Sequence, residues 1–121
     1  MTMQHNNEIK VENRGNVTIF DIQGDITSFS EPFLNAAYQQ ANDQDAVRIL
    51  LKIDREAYIN SGGIALLIQL MAQIKRNNQF VVVTGISEHF KKIFNMVGIT
   101  KFAKIYDTEE AALKVLNAEP T

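Results

Sequence analysis

The stretch from Ile49 to Met71 constrains the fold of this chain most strongly. Its first residues, together with Val47, have the length and apolar content of a buried central strand. A short polar loop follows, and the segment after it places four apolar side chains on one side of a helix: Ile64, Leu67, Ile68 and Met71. We therefore predict a strand, a loop and a helix packed on a sheet, with Asn60-Ser61-Gly62-Gly63 where the helix begins.

Strand and helix patterns alternate along the rest of the chain. Strand patterns at residues 9–11 and 17–23 surround the turn signal Arg14-Gly15-Asn16 and predict a hairpin. Further strands are predicted at residues 47–53, 79–84 and 102–106. Helices lie between and after them, and connections of this length join parallel strands. The fold class is a small α/β domain with a mixed, mostly parallel sheet of four to five strands and about four helices.

Helix boundaries can be placed from capping residues and apolar stripes. The expected N-caps are Ser28 or Ser30, then Ser61, Ser87, and finally Thr108 or Asp107, with Gly98 ending the third helix. The predicted buried stripes are Phe33, Ala36, Ala37 and Ala41 in the first helix, and Phe90, Ile93, Phe94 and Val97 in the third. We assign residues 1–8 to a flexible leader, 9–117 to the domain and 118–121 to a frayed tail.

Composition argues against several classes of function. The 121 residues include no cysteine, which excludes disulfides and thiolate metal sites. A net charge of −2 argues against a nucleic-acid partner. The N-terminus lacks a signal-peptide core, and no window approaches the roughly 20 apolar residues that cross a bilayer. We expect a soluble, cytoplasmic protein with no direct membrane insertion.

No group of residues forms a recognisable catalytic or metal-binding pattern. His5 and His89 have no partner ligand at a fixed spacing. A Ser-His-Asp site built from Ser61, His89 and Asp25 would lack the glycine that a nucleophile elbow requires two residues before its serine. No glycine-rich phosphate loop of the P-loop or dinucleotide type is present. We therefore predict no enzyme activity, no cofactor and no metal.

Ser61 has two interpretations from its position alone. As a helix N-cap, its hydroxyl would stabilise the helix by about 1 kcal/mol. As a phosphoacceptor, it would present its hydroxyl to another protein's active site beside the positive end of the helix dipole. The adjacent Gly62 and Gly63 would leave that hydroxyl open to approach, at a cost in helix propensity of about 1 kcal/mol each. The two interpretations are compatible with one another.

These residues resemble the STAS domain family, named for sulfate transporters and anti-sigma factor antagonists. The family's central pattern is an apolar strand, an acid, a short loop and Asp-Ser-Ser/Thr-Gly before an apolar helix. The resemblance spans residues 9–116 and rests on these segments: Leu51-Lys52-Ile53-Asp54, Ile59-Asn60-Ser61-Gly62-Gly63-Ile64, Gly24-Asp25, Phe90-Lys91-Lys92-Ile93-Phe94, Val97-Gly98-Ile99 and Thr108-Glu109-Glu110-Ala111-Ala112-Leu113.

The resemblance implies helices mainly on one face of the sheet and a non-enzymatic partner-switching role. In stand-alone family members, a serine-protein kinase that doubles as an anti-sigma factor phosphorylates the serine that matches Ser61, and a PP2C-type phosphatase removes the phosphate. The unphosphorylated antagonist binds the kinase and frees its other client. We place the partner-binding surface on Asp25, Ile26, Thr27, Ser28, Tyr58, Asn60, Gly62, Gly63, Leu66 and the exposed edge of the following helix. Tyr58 has an alternative role as a loop anchor packed on the core.

Three residues depart from the family pattern. Asn60 replaces the aspartate before the serine, and Thr27 stands where another acid is often found. Gly62 replaces the second hydroxyl residue, which leaves Ser61 as the only serine acceptor within the motif. An alternative function remains open at this point: a constitutive accessory or scaffold subunit of a lipid-transport ATPase or sensory complex. A third option is a small-molecule sensor.

Overall fold

The computed structural model describes residues 7–119, which form a five-stranded sheet with four α-helices. The strands are β1 (Glu8–Arg14), β2 (Val17–Gln23), β3 (Arg48–Ile53), β4 (Phe80–Thr84) and β5 (Lys104–Tyr106). The helices are α1 (Glu31–Asp43), α2 (Ser61–Arg76), α3 (Glu88–Val97) and α4 (Glu109–Ala118), with short 3-10 turns at Ser28–Ser30 and Ile99–Lys101. Strands lie side by side in sequence order. Only the β1–β2 pair among them is antiparallel, which confirms the predicted mixed α/β sheet.

The predicted hairpin is formed by β1 and β2. Arg14 and Val17 make the last pair before a two-residue turn at Gly15-Asn16. Gly15 has φ +61°, in the left-handed region, and a type II′ turn requires a glycine at this first central position. The hairpin therefore places β1 at one edge of the sheet and β2 in its interior.

Side chains of the strands alternate between two faces, and the helices cover those faces unequally. On one face, buried strand residues such as Phe20, Leu51 and Val83 pack with the buried side chains of α1, α2 and α3. The smaller cluster on the opposite face consists of Val17, Ile19, Leu50, Val82, Ala112 and Leu116. The expected placement of helices mainly on one face is confirmed, and α4 is the helix on the other face.

A buried arginine holds the end of α4 against the sheet. The Arg48 side chain, at the start of β3, donates from Nε to the carbonyl oxygen of Leu116 at 3.0 Å and from Nη2 to that of Glu119 at 2.6 Å. A cation at this place also complements the negative end of the helix dipole. No local sequence pattern indicates this role of Arg48, because its partners lie about 70 residues away along the chain.

Several predicted stripes and boundaries require correction. The buried side of α1 is formed by Leu34, Ala37, Tyr38 and Ala41, so Phe33 is only half-buried and Ala36 is exposed. In α2, Ile64 and Ile68 are half-buried, and the buried side is Gly63, Leu67, Leu70, Met71 and Ile74. Val97, the last residue of α3, is 47% exposed and is not part of the buried stripe. The last strand begins at Lys104 and not at residue 102, since Ile99–Lys101 forms a 3-10 turn.

Most predicted caps are confirmed. The side chains of Ser87 and Thr108 accept hydrogen bonds from the backbones of α3 and α4, and Gly98 ends α3 with φ +83°. At the first helix, neither Ser28 nor Ser30 caps α1 with its side chain, and Thr27 instead caps the 3-10 turn before it.

The described part of the predicted leader is joined to the fold. Glu8 already belongs to β1, and the amide of Asn7 donates to the carbonyl oxygens of Gln23 and Asp25 at 3.1 and 2.9 Å. Ala118 is the last residue of α4. The rest of the predicted leader, residues 1–6, and of the predicted tail, residues 120–121, lie outside the described residues.

Candidate functional site

Two loops and a helix start come together around Ser61. One loop follows β2 and the other follows β3, so both leave the carboxyl edge of parallel strands, where α/β sheets commonly bind their ligands. Ser61 is the first residue of α2, and its side chain is exposed. The fold therefore presents this serine on a surface that two other segments frame.

Asn60, and not Ser61, is the N-cap of α2. Asn60 has extended backbone angles, and its Oδ1 accepts from the backbone N–H of Gly63 at 2.8 Å. The predicted capping role of Ser61 is therefore wrong by one residue. Within residues 7–119, the Ser61 hydroxyl has no hydrogen-bond partner. The Ser61 hydroxyl is therefore not needed to cap α2, because Asn60 does so.

The start of α2 also offers unpaired backbone donors. The N–H groups of Ser61 and Gly62 have no acceptor among the described residues, whereas those of Gly63 and Ile64 bond to the side chain and carbonyl of Asn60. Free N–H groups and the helix dipole together favour a negative group at this end of a 16-residue helix. An anion attached to Ser61 would lie beside these donors.

The two loops are joined by main-chain hydrogen bonds through Ile26. Its N–H donates to the carbonyl oxygen of Tyr58 at 2.9 Å, and its own carbonyl accepts from the N–H of Asn60 at 3.2 Å. Asp25 adds a further link by accepting the N–H of Tyr58 at 2.9 Å. The Ile26 side chain is fully buried, so its predicted direct contact with a partner is wrong. Ile26 instead fixes the position of Asn60, and through it of Ser61.

The two glycines of the motif serve different purposes. A Cβ on Gly63 would lie 2.0 Å from the carbonyl oxygen of Ile26, so this position has no room for a side chain. Gly63 is buried and allows α2 to touch the loop after β2, which corrects the expectation that it opens access to the hydroxyl. A Cβ on Gly62 would lie 3.1 Å from the N and Cβ atoms of Ser28, so this position is tight but far less crowded than position 63.

The remaining predicted surface residues fall into two groups. Ser28 and Tyr58 are exposed, Tyr58 to 60%, and the Tyr58 ring contacts Phe90 edge-on with 6.0 Å between ring centroids. Tyr58 is thus anchored on the core and open to solvent at once. Thr27 is half-buried and uses its hydroxyl to accept the N–H of Phe29. Phe29 itself is 59% exposed beside these residues, and the sequence analysis did not select it.

Leu66 does not share the surface of Ser61. It is half-buried, packs against the main core and lies about 140° around the helix from Ser61, at about 100° per residue. Ala65, Ile68 and Ala72 lie within about 40° of Ser61 around the helix. A helical-wheel projection centred on the serine, rather than on the apolar stripe, would have identified them.

Ion pairs link charged side chains at and near this edge of the sheet. Lys52 Nζ lies 2.9 Å from Glu109 Oε1, and Arg14 also contacts Glu109. The hydrogen bond from Lys52 holds the pKa of Glu109 below its usual value and raises the pKa of Lys52. Lys91 bonds to Asp107 and Glu88 in the same way, which lowers the pKa of Asp107 and raises that of Lys91.

The described residues contain neither a metal-binding cluster nor a membrane-spanning helix. Residues 7–119 hold no group of three or more His, Asp or Glu side chains arranged to bind a metal ion. None of the helices described here is both long enough and apolar enough to cross a membrane.

Comparison with known proteins agrees with the sequence motif and the fold. A model of the STAS domain matches residues 8–112. The anti-sigma-B factor antagonist of Listeria monocytogenes is 19% identical over 102 residues, which cover 84% of this chain and 89% of that protein. The antagonist of the same name from Listeria innocua is equally similar.

Solved structures show the same architecture. The NMR structure of TM1081 from Thermotoga maritima has a TM-score of 0.79 at 14% identity, covering 98% of this chain and 96% of that one. The Bacillus cell fate determinant SpoIIAA, in its phosphorylated form, has a TM-score of 0.61 at 17% identity, covering 91% and 99%. Because the domain match includes all five strands and the motif around Ser61, this chain belongs to the STAS domain family.

Proposed function

We propose that this chain is a non-enzymatic, cytoplasmic anti-sigma factor antagonist whose choice of partner is controlled by reversible phosphorylation of Ser61. The observation that carries the proposal is the exposed Ser61 hydroxyl, which Asn60 relieves of the capping role. Two relatives support it by name, because the Listeria proteins are anti-sigma-B factor antagonists. SpoIIAA, which shares the fold, has been solved in a phosphorylated form.

The proposed reaction is phosphoryl transfer catalysed by a partner. A serine-protein kinase that is also the anti-sigma factor transfers the γ-phosphoryl group of ATP to Ser61 Oγ. The new O–P bond replaces the bond to ADP, and the hydroxyl proton passes to a base of the kinase. A PP2C-type phosphatase reverses the modification by hydrolysing the phosphoester. This chain supplies the acceptor oxygen and its placement, and no catalytic group.

The helix start can accommodate the product. Phosphorylation adds a charge of about −1.5 to −2 at neutral pH. The unpaired N–H groups of Ser61 and Gly62 and the helix dipole stabilise such a charge, each interaction of this kind contributing about 0.3–1 kcal/mol at an exposed site. Asn60 is neutral, so it adds no repulsion where the family usually has aspartate. The fold therefore tolerates phosphate, and the main effect falls on the interface.

The switch acts by changing the surface that a partner covers. We place the contact on Ser61, Ser28, Tyr58 and Gly62, with Phe29 and the Ala65 side of α2 at its border. In the unphosphorylated state this surface has the exposed aromatic rings of Tyr58 and Phe29, and none of its named residues is charged, features that suit burial against a partner. A phosphate at its centre would have to lose its hydration, which opposes binding and releases the kinase.

Intact-mass spectrometry tests the proposal directly. The full chain is incubated with ATP, magnesium and the serine-protein kinase encoded nearest to it, and Ser61→Ala and Thr100→Ala, an exposed hydroxyl outside the contact surface, are treated in parallel. We expect a gain of one phosphate in the wild type and in Thr100→Ala, and none in Ser61→Ala. Phosphate on the Ser61→Ala variant would contradict the assigned acceptor.

A binding measurement with the same kinase distinguishes the proposed switch from the alternative function. If the kinase binds the chain and leaves it unmodified, the chain is a constitutive binder. If the kinase neither binds nor modifies it, the accessory or scaffold subunit of a lipid-transport ATPase or sensory complex becomes the better proposal. Copurification with transporter subunits would then be the result to look for.

A further inference from the structure

The outer edge of β1 is available for pairing. In a two-residue hairpin the pair next to the turn, here Arg14 and Val17, is hydrogen-bonded. Pairs of this kind alternate along the ladder, so Glu8, Lys10, Glu12 and Arg14 point their backbone N–H and C=O groups at β2. The residues between them, Ile9, Val11 and Asn13, point their N–H and C=O groups away from the sheet. Within residues 7–119, no hydrogen bond reaches this outer row.

The charges of β1 are arranged so that the strand complements itself. Its sequence is Glu-Ile-Lys-Val-Glu-Asn-Arg, with Val11 at the centre. If a second copy pairs antiparallel with Val11 opposite Val11, then Glu8 lies opposite Arg14 and Lys10 lies opposite Glu12. The two-fold axis repeats both pairs, so every charged residue of the strand faces an opposite charge. Cross-strand pairs of this kind stabilise antiparallel sheets.

The same register satisfies the backbone. With Val11 opposite Val11, the outward-pointing residues of one copy face the outward-pointing residues of the other. These become the hydrogen-bonded pairs, and the charged residues form the non-hydrogen-bonded pairs, whose side chains are closer together. Moving the register by two residues in one direction places Lys10 opposite Lys10, and in the other Glu12 opposite Glu12. Like charges therefore disfavour the neighbouring registers.

An apolar groove beside β1 lies where the second copy would cover it. The groove has a volume of about 370 Å³, lies between β1 and α1, and is lined by Ile9, Phe33 and Ala36 with three neighbours. Phe33 and Ala36 are the two residues of the predicted α1 stripe that the core leaves uncovered. In an antiparallel pair, both α1 helices lie on the same face of the joined sheet. The two grooves then meet across the two-fold axis.

We propose that this chain forms a symmetric dimer through β1, which joins the two five-stranded sheets into one continuous sheet. The occupant of the edge is a second copy, because the charge pattern of β1 complements its own sequence. Arg14 keeps its contact with Glu109, since a guanidinium has donors for a second carboxylate. The two Ser61 surfaces lie at opposite ends of the joined sheet, so dimerisation leaves both open to their partners.

Charge exchange within β1 tests this dimer. Sedimentation velocity is measured over a concentration series for the wild type, for Lys10→Glu and for Glu12→Lys. Each substitution turns two attractive pairs of the homodimer into repulsive ones, so we expect the dissociation constant to rise about tenfold or more. Mixing the two variants in equal amounts restores every opposite-charge pair. The mixture is therefore expected to dimerise as the wild type does.

A matched control and two contrary outcomes complete the test. Lys104→Glu makes the same charge reversal on β5, the strand at the other edge, and should leave the dimer unchanged. A wild type that sediments as a monomer at every concentration would overturn the proposal. So would variants that each dimerise like the wild type. Recovery on mixing also shows that the single variants are folded, because unfolded chains would not regain a dimer.

Discussion

Replacing Gly63 by alanine should destabilise the domain far more than the same change at Gly62. A Cβ at position 63 would lie 2.0 Å from the carbonyl oxygen of Ile26 and 2.5 Å from its carbonyl carbon, and these backbone atoms cannot rotate away. The start of α2 must then move away from Ile26 by about 1 Å or more before the Cβ and the carbonyl oxygen reach van der Waals distance. That movement strains or breaks the hydrogen bonds of Ile26 with Tyr58 and Asn60. Overpacking costs about 1–3 kcal/mol and a lost buried hydrogen bond about 1–3 kcal/mol, so we expect about 3 kcal/mol or more.

Gly62→Ala is the matched comparison, with the same change of atoms one residue earlier in the helix. Its Cβ would meet Ser28 at 3.1 Å, a contact that requires Ser28 to move by only a few tenths of an ångström. Alanine also gains about 1 kcal/mol of helix propensity over glycine, which offsets the cost of that movement. We expect a change in unfolding free energy of less than about 1 kcal/mol. Urea denaturation followed by circular dichroism measures both variants. Equal stability of Gly63→Ala and Gly62→Ala would refute the close approach of α2 to Ile26.

Three further predictions concern the cap, the ion pairs and the departure from the family motif. Asn60→Ala should cost about 1 kcal/mol of unfolding free energy and Ser61→Ala less than about 0.5 kcal/mol, because only Asn60 caps α2; the opposite order in denaturation would restore Ser61 as the cap. The pKa of Glu109 is lowered on folding, so its contribution to stability is present above its unfolded pKa of about 4.5 and is lost as pH falls through the folded value. Glu109→Gln should therefore be less stable than the wild type at about pH 6, and the difference in unfolding free energy should shrink as the pH falls to about 3. Denaturation at each pH measures this difference, and a constant value would contradict the ion pair. Asn60→Asp should leave the unfolding free energy of the unmodified protein within about 0.5 kcal/mol of the wild type, since both residues cap well. It should destabilise the phosphorylated form, because the aspartate would repel the phosphate on Ser61, and denaturation of both forms measures the difference.

Local patterns were sufficient for the element order and the position of the motif. The turn at Gly15, the caps at Ser87 and Thr108 and the end of α3 at Gly98 depend on residues close in sequence, and the structure confirms them. Residues close in sequence do not decide whether Asn60 or Ser61 is the N-cap of α2. Both residues are good caps, and the register of α2 is set by the loop that Ile26 holds in place.

Contacts between distant residues explain what the sequence analysis missed. The steric need for glycine at position 63 arises from Ile26, which lies 37 residues earlier and is brought close only by the folded sheet. In α1, Leu34 and Tyr38 face the core, so Phe33 lies at the border of the buried side of the helix. Exposure of Phe29 likewise depends on a 3-10 turn that no pattern in the sequence indicated.

Isothermal titration calorimetry of the kinase against two forms of this protein tests the central claim most directly. One form is unmodified, and the other carries phosphoserine at position 61, introduced during synthesis so that the result does not depend on the kinase's activity. We predict that phosphate weakens binding by several hundred-fold, equivalent to about 3–4 kcal/mol, while Ser61→Ala binds like the unmodified protein. Equal affinity of the two forms would show that Ser61 is not the switch.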